Sequence, residues 1–300
     1  FSVCTQHCRC VLIPQGAKGK LVKPLRRKKP KRPPAKVPGP TKKPTTIREI
    51  VDPKMAGKHK TVKQAEQWAA ENVIVPGGQG VSFEGITDVA YVNSVNVALK
   101  EVLEKYDLKY DTIRVWDRNS DIWASSTHRR LSLNPRSANN MKRLRKELDD
   151  SVASGFHPAG CDTVRSIITH ESGHGLSFDA IQAKGDFYKE LLSVKLKYTR
   201  HMTRIRKKYG IMSDYGGNAQ YFSNSFLQKE GVFHLKDPRI EKWKKAYRKE
   251  KKKIRISEYG EQDMHEFVAE SFAMVTHGTS PSQYALDVVA ILKKYKGKSS

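Results

Sequence analysis

The residues best suited to chemistry lie at 170–174, where the sequence is His-Glu-Ser-Gly-His. Two histidines four positions apart lie on the same face of a helix, one turn from each other. Imidazoles so placed can fill two of the four positions around a tetrahedral Zn²⁺. Glu171 follows the first histidine and lies where it can take a proton from water at an open metal position. The pattern predicts a catalytic metal site with His170 and His174 as ligands.

A third protein ligand is expected from a separate helix, and residues 257–278 offer two candidates. Glu266 and Glu270 are again four positions apart, with apolar residues such as Phe267 and Phe272 around them. Carboxylates on such a helix are costly to bury without a positive partner, and a metal ion with its histidine ligand would serve. The alternative is a partly exposed helix edge that pairs with Lys and Arg. The residues alone do not decide between the two glutamates.

The segment Tyr259-Gly-Glu-Gln-Asp-Met-His-Glu266-Phe-Val-Ala-Glu270-Ser-Phe-Ala resembles a block of the gluzincin-like zinc peptidases. These include the anthrax lethal factor catalytic domain and the bacterial Pro-Pro endopeptidases. The motif at 170–174 is similar to their helix motif, including the glycine before the second histidine. The resemblance implies that Glu266 is the third zinc ligand and that Tyr259 donates to the oxyanion of the tetrahedral intermediate. It also implies that Glu270 orients a ligand without binding the metal.

This resemblance covers residues 165–178 and 257–278. The family usually has Phe-Phe-Ala-Glu-Ala-Phe where this chain has Phe-Val-Ala-Glu-Ser-Phe, and both changes keep small or apolar side chains. It implies a zincin-like α+β fold with one Zn²⁺ per chain. The implied activity is endopeptidase hydrolysis of a protein or peptide by metal-activated water, with Glu171 as general base. Substrates of this class lie extended along an edge strand, which we expect around residues 122–125.

The apolar spacing predicts a small N-terminal sheet followed by a mostly helical C-terminal half, an α+β arrangement. No apolar stretch is long enough to span a bilayer, so no membrane span is expected. The predicted helices cover 61–71, 88–105, 141–148, 163–176, 187–209, a segment that begins at Pro238, 263–276 and 281–295. The predicted strands cover 113–116, 122–124 and 130–133.

The net charge of +25 is unevenly distributed. Residues 1–48 hold 14 Lys and Arg and no acidic residue, together with 8 of the 14 prolines. Such a segment cannot bury enough apolar surface to fold, so residues 14–46 are predicted to be a basic, Pro-rich disordered linker. Its charge is interpreted either as that of a solvated tail or as a source of nonspecific contact with nucleic acid or another anionic surface. The basic runs at 200–208 and 242–253 are interpreted as solvated helix faces, with attraction of acidic substrates as the alternative.

Residues 7–14, His-Cys-Arg-Cys-Val-Leu-Ile-Pro, resemble the closing motif of phage minor head proteins of the Mu F type. The family usually has His-Pro-Asn-Cys-Arg-Cys, so the spacing of the histidine differs here. The resemblance implies that residues 1–13 end a capsid-associated domain and that residues 47–300 form the metallopeptidase. The peptidase would then be a phage-delivered or prophage toxin module, found in the virion or the host cytoplasm, or alternatively secreted.

Two other functions fit the sequence. One is a basic phage-head component that contacts DNA and carries a degenerate metal site, which predicts salt-sensitive DNA binding. The other is a structural zinc domain without catalysis, which predicts unfolding on chelation. Glu171 and Tyr259 argue against the second, because a structural site requires neither residue.

Overall fold

The first described elements are two capped helices. The computed structural model describes residues 59–116, 122–213, 221–234 and 236–295, so the predictions for 1–13 and 14–46 lie outside it. Helix α1, Val62–Val73, begins as predicted at Thr61, whose hydroxyl accepts a hydrogen bond from the Gln64 amide. Helix α2, Val89–Tyr106, begins at Asp88 and buries its apolar face. The apolar spacing and the capping residue therefore predicted the positions of both helices correctly.

A four-stranded sheet lies next to these helices. Its strands are β1 (Gly80–Val81), β2 (Thr112–Val115), β3 (Ala124–Thr127) and β4 (Arg130–Leu133). The spatial order is β1-β2-β4-β3, with β1, β2 and β4 parallel and β3 antiparallel to β4. Strand β3 is thus an edge of the sheet within the described residues.

The predicted strand at 122–124 is displaced along the chain, because the observed strand begins only at Ala124. The two residues before it are held by Asn134, which follows β4. Its side-chain amide donates to the carbonyl of Ile122 and its backbone N–H donates to the carbonyl of Trp123. Both residues therefore stay close to the end of β4, although they lie outside the regular β3–β4 ladder.

The remainder of the described chain is mostly helical, as predicted. Helix α5 continues past the predicted end at 176 because Ile181 repeats the buried spacing, and it stops at Lys184 in a left-handed conformation. The hairpin of β5 and β6 was not predicted. The elements are α3 (Pro135–Ala138), α4 (Met141–Ser154), α5 (Val164–Ala183), α6 (Asp186–Lys208), β5 (Ile211–Ser213), β6 (Tyr221–Phe222), α7 (Asn224–Lys229), α8 (Pro238–Ile254), a 3₁₀ helix (Tyr259–Glu261), α9 (Met264–His277) and α10 (Gln283–Lys294).

Helix α5 is central to the main core, where it packs against α2, α9 and the edge strand β3. Gly173 allows α5 and α9 to approach each other closely. A Cβ atom built at Gly173 would lie 2.8 Å from the Cα of Ala269 on α9, which is too close for any side chain. Gly173 therefore lets the backbone of α9 approach α5 at a point where a side chain would not fit.

A second, smaller cluster of buried apolar residues lies between the C-terminal end of α6, the β5–β6 hairpin and α8. Its buried members include Ile205, Phe222, Ile240 and Tyr247. Helices α6 and α8 are therefore packed against each other, with their apolar sides turned inward. In the part of the chain that the structure describes, no helix combines the length and apolar character needed to cross a membrane.

Candidate metal centre

Helix α5 carries three of the predicted site residues into the interior. Its first turn is fixed by a reciprocal cap between Thr163 and Ser166. Beyond the cap, His170, Glu171 and His174 are only 8, 7 and 8% exposed. Such burial of polar side chains is costly unless each of them meets a partner.

Helix α9 brings the fourth predicted residue to the same point. Its first turn is capped by Asp263, whose carboxylate accepts from the backbone N–H of Glu266. The Oε2 atom of Glu266 lies 3.3 Å from Nε2 of His170 and 3.5 Å from Nε2 of His174. The two Nε2 atoms are 3.1 Å apart. These three buried side chains therefore form a group that could hold a metal ion.

The carboxylate of Glu266 fits a bound cation. Burial raises its pKa, but the imidazoles of His170 and His174 outweigh burial and hold the pKa well below its usual range. The carboxylate is therefore ionised. Its buried Oε2 atom meets no donor at hydrogen-bonding geometry among the described residues. A buried anionic oxygen without a hydrogen-bond donor is well suited to bind a metal ion.

Glu270 lies one turn further along α9 and meets the other nitrogen of the same histidine. Its Oε1 atom is 2.7 Å from Nδ1 of His170 and 2.8 Å from Nδ1 of His157. Burial raises the pKa of Glu270, but the two histidines outweigh it and lower the pKa to about 2. The structure thus brings Glu266 into the group that could hold a metal ion and places Glu270 at the opposite nitrogen of His170.

Glu171 lies between the histidines and the edge strand. Its carboxylate accepts a hydrogen bond from the backbone N–H of Ser126 on β3. Burial is the largest influence and raises the pKa of Glu171, although His170 and His174 partly offset it. A carboxylate with a raised pKa can exchange a proton with a reactant more readily than an ordinary glutamate.

Tyr259 lies against the same histidine, in the 3₁₀ helix that precedes α9. Its ring stacks on that of His170, with the ring centres 5.8 Å apart and the planes at 21°. The backbone N–H of Tyr259 donates to the carbonyl of Phe156, which ties the 3₁₀ helix to the end of α4. The phenol is half-buried, so it lies at the edge of the centre rather than in the core.

Two aromatic residues beside the centre, Phe156 and His157, were missed from the sequence, and a third, Trp123, was expected only as part of the edge strand. His157 contacts Glu270, and its ring centre lies 5.4 Å from that of Trp123. Phe156 stacks on Tyr259 at 5.1 Å and is 37% exposed. These residues come from loops with no periodic pattern, and Glu270 is 113 positions from His157. Their position beside the centre depends on contacts between distant segments, and no local sequence pattern indicates such contacts.

His265 is adjacent in sequence to Glu266 but is not part of the group that could hold a metal ion. Its ring centre lies 6.5 Å from that of His174 and 5.1 Å from that of Phe178. Burial, followed by the nearby His174, lowers the pKa of His265. This side of the centre is therefore bordered by the aromatic rings of His265 and Phe178.

Comparison with family models, with curated proteins and with solved structures finds no match to this chain. The resemblance to the gluzincin-like peptidases thus remains a prediction from residues 165–178 and 257–278. The interpretation of the centre depends on its own geometry and charge.

Proposed function

We propose that this protein is a zinc-dependent endopeptidase. The observation that carries the proposal is the spacing of the three candidate ligand atoms, which lie 3.1–3.5 Å from one another. Donors bound tetrahedrally to Zn²⁺ at about 2.0–2.1 Å lie about 3.3–3.4 Å apart. His170, His174 and Glu266 would therefore hold the ion with little rearrangement.

The number of ligands favours a catalytic centre over a structural one. Structural zinc sites use four protein ligands, whereas catalytic sites use three and leave one position for water or substrate. The group found among the described residues has three members. Glu171 is buried beside them and is not one of the three. This arrangement supports an open position next to a proton acceptor.

The balance of charge also supports a dication. Glu171, Glu266 and Glu270 are all buried, at 7, 7 and 1% exposure. Three carboxylates in so small a volume repel one another and lose their hydration. A bound Zn²⁺ would offset two of the three negative charges.

The proposed mechanism assigns a task to each side chain. His170, His174 and Glu266 would hold Zn²⁺, which would supply a Lewis acid for the substrate carbonyl and would lower the pKa of the attacking water. Glu171 accepts a proton from the attacking water and then delivers it to the leaving amine. Tyr259 donates a hydrogen bond to the oxyanion that forms on the carbonyl. Glu270 keeps Nε2 of His170 directed at the ligand position.

The proposed substrate is an extended peptide that adds to the outer side of β3. This strand pairs only with β4 among the described residues. Its Ser126 also contacts Glu171, so a peptide along β3 would pass beside the proposed base. Addition of a peptide to a sheet edge gives affinity through the main chain and leaves specificity to side-chain pockets.

The test is mass spectrometry of a diverse peptide mixture incubated with the zinc-loaded full chain. We expect cuts at a consistent sequence by the wild type and by Glu241→Ala, which removes an exposed carboxylate on α8. We expect none by Glu171→Ala, with zinc content unchanged. Cleavage by Glu171→Ala at the wild-type rate would refute the mechanism. Zinc-loaded wild type that cuts nothing would refute the peptidase proposal for the peptides sampled.

A further inference from the structure

The positive charge of the described chain is concentrated in two helices. Residues 49–300 carry a net +11, since 14 of the 25 net charges lie in residues 1–48. Helix α6 has eight basic and two acidic residues, and α8 has nine and two, which gives +6 and +7. Together they exceed the whole of the +11, so the rest of residues 49–300 has a net charge of −2.

Helix α8 presents its charge on one side. Ile240 and Tyr247 are buried in the smaller apolar cluster, and Trp243 packs against it. The opposite side holds six exposed cations that we call the basic face: Lys242, Lys245, Arg248, Lys249, Lys252 and Lys253. At 1.5 Å per residue the basic face is about 16 Å long.

No ion pair neutralises a cation of the basic face within the described ranges. None of the six lies within ion-pairing distance of a carboxylate in the described ranges, although the helix does pair Lys244 with Glu241 at 2.7 Å. Like charges three and four positions apart destabilise a helix, whereas alternating signs stabilise it. A face that served only to keep α8 soluble and stable would carry interspersed glutamates. The unbalanced charge therefore indicates a polyanionic partner.

The end of α6 adjoins this surface. Lys208 and Tyr209 both donate to the carboxylate of Glu250 on α8. The hydrogen bond from Lys208 is the largest influence that lowers the pKa of Glu250, and the charge of Lys253 also contributes. Cations of the two helices thus meet at one carboxylate, and the positive surface continues from α8 onto α6.

We infer that the basic face binds the phosphate backbone of a nucleic acid. A helix that lies on an anionic membrane inserts an apolar face beside its charges. The large apolar residues of α8 instead face the protein, and none of the exposed large apolar side chains found in the described residues lies on α8. Duplex DNA presents one charge per about 1.7 Å, so about nine phosphates lie alongside a 16 Å helix face. This inference is independent of the proposed peptidase activity.

The test is fluorescence anisotropy of a labelled 20-base-pair DNA duplex with the full chain between 50 and 200 mM NaCl. One variant carries Lys242→Gln, Lys245→Gln, Lys249→Gln and Lys252→Gln, since Gln and Lys have similar helix propensities. A matched control loses four exposed lysines elsewhere on the described surface through Lys60→Gln, Lys63→Gln, Lys142→Gln and Lys293→Gln. A third variant places Arg at the four α8 positions and keeps the charge.

We expect the Gln variant of α8 to lose at least tenfold in affinity at 100 mM NaCl. The slope of log K against log salt should fall by about 3–4, because four phosphate contacts are lost. The control and the Arg variant should bind like the wild type. Wild-type binding by the α8 Gln variant, or an equal loss in the control, would overturn the inference. So would α8-dependent binding to phosphatidylserine vesicles by a wild type that does not bind the duplex.

Discussion

At the scale of single residues, Glu266 and Glu270 lie one turn apart on α9 and contact opposite nitrogens of His170. Exchange of Glu266 for Gln replaces the charged oxygen in the ligand group by a neutral amide. We expect this variant to lose stoichiometric zinc. Glu270→Gln keeps all three proposed ligands and loses only the anion behind His170, so its zinc affinity should fall by about 10–100-fold.

Titration with zinc against a chromophoric chelator measures both affinities, and Glu241→Gln controls for loss of a carboxylate elsewhere. The assignment fails if Glu266→Gln retains wild-type affinity while Glu270→Gln loses the metal. In that case Glu270 would be the third ligand, the alternative that the sequence alone left open.

His157 provides a second residue-scale prediction, because its Nδ1 atom lies 2.8 Å from the same carboxylate of Glu270. His157→Ala removes one of the two partners that hold this carboxylate in place. We expect zinc affinity to fall by about tenfold. His157→Gln, whose amide can donate a hydrogen bond, should recover most of the loss. Equal affinities for the Ala and Gln variants would show that this hydrogen bond does not position Glu270.

At the scale of secondary structure, the approach of α5 and α9 depends on Gly173. Two glycines of α5 can be compared, since Ala at either gains about 1 kcal/mol of helix propensity. At Gly173 the new Cβ would lie 2.8 Å from the Ala269 backbone, whereas at Gly175 it would lie 3.3 Å from the movable side chain of Leu108. We expect Gly173→Ala to be less stable than Gly175→Ala by about 1–2 kcal/mol. Urea unfolding measures both variants. Equal midpoints for Gly173→Ala and Gly175→Ala, with equal dependence of the unfolding free energy on urea, would contradict tight packing at Gly173.

The C-terminal end of α9 is joined to α5 by a hydrogen bond between His277 and Thr169 at 2.8 Å. Burial, aided by the charge of Arg165, lowers the pKa of His277 to about 4. The unfolded value is about 6.5, so the stabilising effect of neutral His277 is complete above pH 6.5 and is lost as the pH falls towards 4.

Between pH 7.5 and 5.0 this linkage amounts to about 2 kcal/mol, because the unfolded chain binds the proton and the folded chain does not. Urea unfolding at both pH values measures the free energy of unfolding of the wild type and of His277→Gln. Between pH 7.5 and 5.0 the wild type should lose about 2 kcal/mol more than the variant. If both proteins lose the same stability over this range, the pKa of His277 is not lowered by folding.

The parts of the fold that could be predicted are those that depend on residues close together in the sequence. Helix α2 and the motif at 170–174 follow from spacing within a few turns, and both lie where expected. Strand β1 has two residues, too few for an alternating pattern, and the β5–β6 hairpin is similarly short. The choice between Glu266 and Glu270, and the presence of His157, depend on how separate segments pack. Local spacing does not contain that information.

At the scale of the whole molecule, the proposed zinc ion would join the two helices at the centre of the main core. His170 and His174 lie on α5 and Glu266 lies on α9, and these helices are packed along each other. An ion bound to both would stabilise the folded state, because the unfolded chain does not assemble the three ligands. Metal binding should therefore be visible as stability, without any assay of catalysis.

We expect zinc at 100 times its Kd to stabilise the protein by about 2.7 kcal/mol relative to excess chelator. For a domain of this size that raises Tm by about 5–10 °C. Differential scanning fluorimetry of three proteins tests the prediction. The wild type and Glu171→Gln should show the shift, since Glu171 is not one of the proposed ligands, and Glu266→Gln should lose it. A shift that persists in Glu266→Gln would mean that zinc binds outside the proposed centre, whatever the outcome of the peptide assay.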